Sequence, residues 1–338
     1  MHFLITGHTG FKGTWLSLLL NERGHQVSGI SLEPVENSLF TRSGASSFLQ
    51  NNIYCDIRDT QKINKCFEDI NPDVVIHLAA QSLVRHSYKF PIKTFETNVT
   101  GTLNVLMASE SVTNLKAQLI ITTDKVYKNI NKISGYHESD EIDGVDPYSA
   151  SKATADKLTQ AWVKSFSKKT TAVARAGNVI GGGDICEDRL IPDLVYHLIN
   201  DKIPSLRFPN AVRPWQHVLD CLNGYLSLVD YMVKNQQGGI WNFGPDQTEL
   251  KTVSTVAEQV SKTWGTNKKW IKSNDINPYE TSLLILDSAK AKQTLGWYDK
   301  LSFEDAINWT TLWYKSVSSG ANVLEETIVN IKNFESLK

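Results

Sequence analysis

Short, near-continuously apolar runs recur along the first half of the chain, each followed by a longer stretch with helical patterning. "HFLIT" (2–6), "QVSGIS" (26–31), "NIYCD" (52–56), "DVVIHLAA" (73–80), "QLIITT" (118–123) and "TAVARA" (171–176) read as strands. Apolar side chains on both faces are what a parallel sheet covered on both sides requires. Helices are predicted between them at 11–23, 60–71, 91–112 and 147–166, with Thr60 capping the second. Strict alternation of strand and helix predicts a doubly wound α/β fold.

After residue 178 the rhythm changes. "GGGD" (181–184), "FPNAVRPW" (208–215) and "FGPD" (243–246) punctuate the chain, and helices are predicted at 188–200, 216–234, 252–265, 287–295 and 302–316. The last opens on "SFED", a Ser three residues ahead of an acid, which is a capping-box pattern. A smaller second lobe of helices and short strands fits this segment. Ligands of open α/β sheets bind beyond the carboxyl ends of the strands, so a lobe packed there closes a cleft.

Three segments carry candidate chemistry. In "TGHTGFKG", Gly7, Gly10 and Gly13 follow the first strand and open a helix. Glycines let backbone approach a pyrophosphate, and the helix N-terminus supplies unpaired N–H groups. The second strand ends in Ser31 rather than the acid that holds a ribose hydroxyl, with Glu33 two residues on, which leaves NAD and NADP both open. Arg42 is a partner for a 2′-phosphate or an ordinary surface charge; Asp56 and Ile57, in "CDIRD" after the third strand, are placed to flank an adenine.

In "DPYSASK", Asp146 caps a helix, Pro147 suits its first turn, and Tyr148 and Lys152 fall four residues apart on one face. A free tyrosine is a poor base at neutral pH, and a nearby ammonium stabilises its phenolate. Such a pair takes a proton from an alcohol while hydride leaves the carbon. In "TTDKVY" (122–127), Asp124 and Lys125 directly follow the fifth strand. An adjacent acid and base is ordinarily a solvated loop pair. To act as acid and base near neutrality, Asp124 must move up and Lys125 down in pKa, which burial favours and their mutual attraction opposes.

Composition narrows the field. Hydrophobic residues make up 41% and charged residues 21% of 338, values of a globular chain with room for two lobes. Thirty-five basic against 36 acidic side chains leave a formal charge of −1, so nucleic acid and membrane surfaces are not expected partners. No leader or spanning segment is evident, and Cys55, Cys66, Cys186 and Cys221 lack metal-ligand spacing. A cytoplasmic enzyme with free thiols and no metal is expected.

With these motifs in view, the chain resembles the extended short-chain dehydrogenase/reductases, through "TGHTGFKG", "HLAAQ" (77–81), "NVTGT" (98–102), "YSASK" and "RAGNVIGGGD" (175–184). "RLIP" (189–192), "VRPWQHV" (212–218) and "LDSAKAKQTLGW" (286–297) are similar to the sugar-nucleotide branch, and within it to the CDP-glucose 4,6-dehydratases. The resemblance implies a Rossmann domain at 1–178 plus about 216–245, and a C-terminal α/β substrate-binding lobe at 179–215 plus 246–338. It also implies an NAD-dependent lyase of deoxysugar biosynthesis, such as serves O-antigen and lipopolysaccharide, that turns CDP-glucose into CDP-4-keto-6-deoxy-glucose. Oxidation at C4, elimination of water across C5 and C6, and hydride return to C6 make up that reaction.

Carried over by position, Tyr148, Lys152 and Thr123 serve the oxidation, Asp124 is the acid at C6 and Lys125 the base at C5. The similar dTDP-glucose enzymes place a glutamate where Lys125 stands, and 4-epimerases generally lack the pair. The cofactor residues implied are Gly7, Thr9, Gly10, Phe11, Lys12, Gly13, Ser31, Asp56, Ile57, Leu78, Ala79, Ala80, Asn98, Tyr148 and Lys152. The substrate residues implied are Gln81, His86, Tyr88, Asn178, Arg189, Arg213, Tyr279 and Glu280, although "PYET" departs from the His-Glu-Ala more usual at the last two. A homodimer or tetramer is implied, with Val105, Leu106, Leu158 and Trp162 as an apolar face between subunits or within the chain. The alternatives are dehydration of a UDP-, dTDP- or GDP-hexose, 4-epimerisation, and a non-catalytic cofactor-binding regulator.

Overall fold

A computed structural model describes residues 1–246, 251–273 and 282–337. Its frame is a seven-stranded, all-parallel sheet. The strands are β1 (His2–Thr6), β2 (Gln26–Ser31), β3 (Asn51–Tyr54), β4 (Val74–His77), β5 (Ala117–Thr123) and β6 (Thr171–Ala176), joined by Gly239–Phe243 at one edge. The order is Gly239–Phe243, β6, β5, β4, β1, β2, β3. Every residue of β4, β5 and β6 is buried, which explains their unbroken apolar runs. The order reverses between β1 and β4, where Thr6 faces His77, and this is where a doubly wound sheet opens a crevice.

The helices Phe11–Glu22, Thr60–Ile70 and Pro147–Ser165 match the predicted pattern closely. Asp146 caps the third by accepting from the Ser149 amide, and Ser302 caps Phe303–Ser318 by accepting from the Asp305 amide. The cap of the second is not Thr60 but Asp59, whose carboxylate accepts from the Lys62 amide while Thr60 becomes the first helical residue.

The predicted helix 91–112 is three pieces: Pro91–Phe95, a π-helical turn Glu96–Thr100, and Gly101–Ser111. The wide turn places the Asn98 amide against backbone outside the helix, bonding that patterning cannot reveal. Val105 and Leu106 are fully buried within the chain, so an intersubunit face cannot use them. Leu158 and Trp162 are half-buried. Ile92 (75%), Phe95 (37%), Met107 (43%), Val163 (37%) and Phe166 (67%) are the apolar side chains these segments leave exposed. Three further elements lacked sequence signals: the short helix Val84–Lys89, the strand Gly239–Phe243 and the C-terminal helix Val323–Ser336.

Beyond the sheet, Leu190–Ile199, Val253–Trp264 and Phe303–Ser318 pack on one another as a second lobe, while Ala289–Leu295 packs on the edge strand Gly239–Phe243 and the helix Val218–Asn235. One continuous apolar core runs from β1 and its helix into this lobe. Trp15 donates to the Gly182 carbonyl at 2.9 Å, and Trp313 packs on the same glycine. A Cβ on Gly182 would stand 2.1 Å from the Trp313 ring. Gly182→Ala is therefore expected to destabilise the chain by about 1–3 kcal/mol, read by thermal unfolding. Gly24→Ala, with open space around it, should cost only its left-handed backbone strain, roughly 1–2 kcal/mol.

Candidate active site

The glycine turn shapes one end of a long cavity of about 940 Å³. Gly7 has φ +81°, and a Cβ there would lie 2.7 Å from the Ala79 amide nitrogen; on Gly13 it would lie 2.2 Å from the Gly7 carbonyl. Only glycines allow β1, the tail of β4 and the start of the Phe11–Glu22 helix to close up this far. Gly10 is that helix's cap and offers no side-chain cap bond, so the amides of the first turn are available to an anion. Beside it Thr9 and Ser31 share a hydroxyl contact of 2.7 Å, and Asp56 is held by Arg58 at 2.7 Å. That arginine keeps the Asp56 carboxyl below its usual range.

Gly7, Thr9, Gly10, Phe11, Lys12, Gly13, Ser31, Asp56, Ile57, Leu78, Ala79 and Ala80 all line the cavity, and Tyr148 and Lys152 lie farther along it. Arg42 is exposed and off the wall, as a surface charge would be. Glu33 reaches the wall from the loop after β2.

The other end is organised by β5. Strand geometry carries Thr123 and Asp124 into the cavity wall, and the chain then turns through Asp124–Val126. Asp124 is 2% exposed. Its Oδ1 accepts from the Thr123 hydroxyl at 2.9 Å, and its Oδ2 is buried without a hydrogen-bond partner. Burial raises the Asp124 pKa; the charges of Lys125 and Arg213 and the Thr123 bond offset only part of that rise. Lys125 is half-buried on the same wall. A Cβ on Gly177 would come 3.1 Å from Asp124 Oδ2 and 2.4 Å from Pro214, so that glycine leaves the carboxyl its room.

The Asp146 cap and Pro147 start the helix so that Tyr148 and Lys152 face the same cavity. Burial pushes Tyr148 up to about 12, against the Thr123 hydroxyl and the charge of Arg189, which pull it down. Burial and Lys12 push Lys152 down to about 8. Its ammonium donates to the Ile121 carbonyl at 2.9 Å. Desolvation thus decides the direction for the phenol, against the expectation that a neighbouring ammonium lowers it.

The remaining predicted residues divide. Asn178, Arg189 and Arg213 line the cavity. Arg189 pairs with Asp184 at 2.7 Å and donates to Ser82 at 3.0 Å, and buried Arg213 donates to the Val212 carbonyl at 2.8 Å. Asn98 lies behind the wall, accepting from the Gln81 amide and donating to the Gln81 carbonyl and to Ser151. Gln81 is also off the wall, its side chain bonding Leu83 and Thr94 to brace the loop. His86 stacks on Phe90 and Tyr88 points to solvent, because only the first turn of Val84–Lys89 meets the cavity. Tyr279 and Glu280 lie outside the described residues.

Among the cavity residues that were missed are two arginines. Arg85 and Arg207 both pair with Asp188, at 2.7 and 3.1 Å. Their signal was only a lone arginine in "LVRH" and another in "LRFP".

The burial of Asp124 has a thermodynamic consequence. A carboxyl whose folded pKa is raised binds more protons in the native state, so its contribution is intact at low pH and lost as pH rises through the unfolded value of about 4 toward the folded one. Asp124→Asn keeps the shape and the acceptor for Thr123 but carries no charge. Its Tm should equal that of the wild type near pH 4 and exceed it by roughly 2 °C or more at pH 8. A Tm that falls with the substitution at pH 8 would show Asp124 to be a stabilising ion.

The GDP-mannose 4,6 dehydratase family matches residues 4–310. CDP-glucose 4,6-dehydratase of Salmonella typhimurium is 39% identical, over 95% of this chain and 92% of that one. The probable dTDP-glucose 4,6-dehydratase of Sinorhizobium fredii is 28% identical over 93% of each. The dTDP-glucose 4,6-dehydratase DesIV of Streptomyces venezuelae, solved with NAD bound, superposes with a TM-score of 0.82 over 96% of this chain and all of that one, at 22% identity, a likeness of fold. The chain belongs to the GDP-mannose 4,6 dehydratase family of extended short-chain dehydrogenase/reductases, as a 4,6-dehydratase of the hydro-lyase class.

Proposed function

We propose that this enzyme converts CDP-glucose to CDP-4-keto-6-deoxy-glucose with NAD as its resident cofactor. The observation that carries the reading is the buried Asp124 beside Lys125 at the end of β5, in one cavity with Tyr148 and Lys152. An epimerase has no use for a second acid and base at that point. The 39% identity to a CDP-glucose enzyme supports the choice of nucleotide over dTDP.

The residues present fit a dinucleotide. The cradle at Gly7, Gly10 and Gly13 admits a pyrophosphate, with a Cβ on Gly7 or Gly13 colliding with backbone, and Ser31 and Asp56 stand on the cavity wall beyond it. The nicotinamide, when bound, accepts a hydride from C4 and gives it back at C6. Tyr148 takes the proton of the C4 hydroxyl, Thr123 hydrogen-bonds O4, and the charge of Lys152 favours the phenolate. Lys125 removes the proton on C5, made acidic by the C4 ketone, and gives a proton back to C5 as hydride reaches C6. Asp124 delivers its proton to the departing C6 hydroxyl, which leaves as water. Arg189 and Arg213 hold the diphosphate, a task for which the planar guanidinium is suited. The exposed Ile92, Phe95, Met107, Val163 and Phe166 support a homodimer through the Pro91–Ser111 and Pro147–Ser165 segments.

Supplied with CDP-, dTDP-, UDP- and GDP-hexoses, the enzyme should form a 4-keto-6-deoxy product from CDP-glucose; turnover of another with none of CDP-glucose overturns the assignment. Lys125→Met should still oxidise C4 and accumulate reduced cofactor, while dehydration falls by about 10²–10⁴-fold. Full dehydration by that variant removes Lys125 from the base role. Deuterium placed at C4 should reappear at C6 of the same sugar, and its loss to solvent would contradict hydride storage.

A further inference from the structure

We propose that Asp156 is a positioning residue for this reaction: with Arg175 it ties the helix carrying Tyr148 and Lys152 to the strands whose ends carry Thr123, Asp124 and Asn178. Both side chains are 0% exposed and neither lines the cavity. Asp156 lies one helical turn beyond Lys152. Its Oδ2 accepts from Arg175 Nε at 2.8 Å and from the Thr122 hydroxyl at 3.1 Å; its Oδ1 accepts from Arg175 Nη2 at 2.9 Å and from Gln160 at 2.7 Å.

Thr122 immediately precedes Thr123, and it faces Arg175 across the β5–β6 pair. Arg175 reaches on to the Tyr127 hydroxyl at 2.8 Å and the Glu138 carbonyl at 3.1 Å. Tyr127 in turn donates to Asn242 of the edge strand at 2.7 Å. One ion pair therefore fixes both flanks of the "TTDKVY" segment against the Tyr148 helix. Burying such a pair is no efficient route to stability, since apolar side chains of like volume commonly do as well. What it supplies is a defined register between the two halves of the catalytic group.

A second effect is electrostatic. The groups facing Lys152 are Lys12, which disfavours its charge, Asp156, which favours it, Tyr148 on the same helix, and His77, which burial keeps neutral. Asp156 is the carboxylate whose charge favours the Lys152 ammonium, against burial and Lys12.

The inference rests on the dehydratase reading for its meaning, but its first test does not need turnover. Asp156→Asn/Arg175→Gln removes both charges together and leaves no buried ion unpaired. In lysine-selective NMR titrations of the full-length protein, assigned with Lys152→Arg, the Lys152 midpoint should fall in the double variant. An unchanged midpoint overturns the electrostatic role. Thr122→Val alters no charge and cuts one strand contact: single-turnover C4 oxidation should slow by about tenfold, with KM within about twofold and the Lys152 midpoint unmoved. A wild-type rate in Thr122→Val overturns the positioning role. If no nucleotide sugar turns over, the reaction reading falls and the titration alone decides what Asp156 does.

Discussion

The site depends on the removal of water from the carboxyl end of β5. An apolar strand covered on both faces runs straight into the cleft, and its last residues stay buried although they are polar. Asp124 has one oxygen bonded to Thr123 and the other to nothing. An ion there lacks the hydrogen bonds that would compensate its desolvation, so the neutral acid is favoured. Elsewhere the pair Asp-Lys would be a loop salt bridge. Gly177, where a Cβ would collide with Pro214 and crowd the carboxyl, belongs to this constraint as much as the acid itself.

Sheet order explains why one cleft serves both ends of the chemistry. The reversal between β1 and β4 opens a gap above the glycine turn, and β5, next to β4, delivers Thr123 and Asp124 alongside it. The second lobe then brings Arg189 and Arg213 across the same opening. Its attachment runs through close contacts such as Trp15 and Trp313 on Gly182, so the cleft is a consequence of the packed core, not of a loose hinge.

Much of this was legible from residue order, because its causes are local. Strand burial shows as unbroken apolar runs, the glycine turn as spacing, and the Tyr148 helix as an Asp-Pro start followed by residues four apart. What stayed hidden has tertiary causes. Nothing in "ETNVT" signals a π turn, since its support is Gln81 and Ser151 from other segments. Gln81 was expected among the substrate residues from the resemblance of its segment to the family, yet its amide is consumed by Leu83 and Thr94. Asp59 displaced Thr60 as cap by a single position, within the ordinary blur of helix ends. Arg85 and Arg207 acquire meaning only through Asp188, which no periodicity links to either.

Burial acts on the whole catalytic group, but not to one end. It raises Asp124, which suits an acid, and it raises Tyr148 to about 12, which does not suit a base. It lowers Lys152 to about 8, so the ammonium that should rescue the phenolate is itself near the edge of ionisation. The negative charge of an ionised Asp124 adds to what holds Tyr148 up. A protonated Asp124 removes that push, so in the proposed roles the state that serves the elimination also eases the oxidation. Order in the site is thus set by where positive charge lies: on Arg213 near the acid, and on Lys152 along the Tyr148 helix, favoured by a carboxylate one turn behind it.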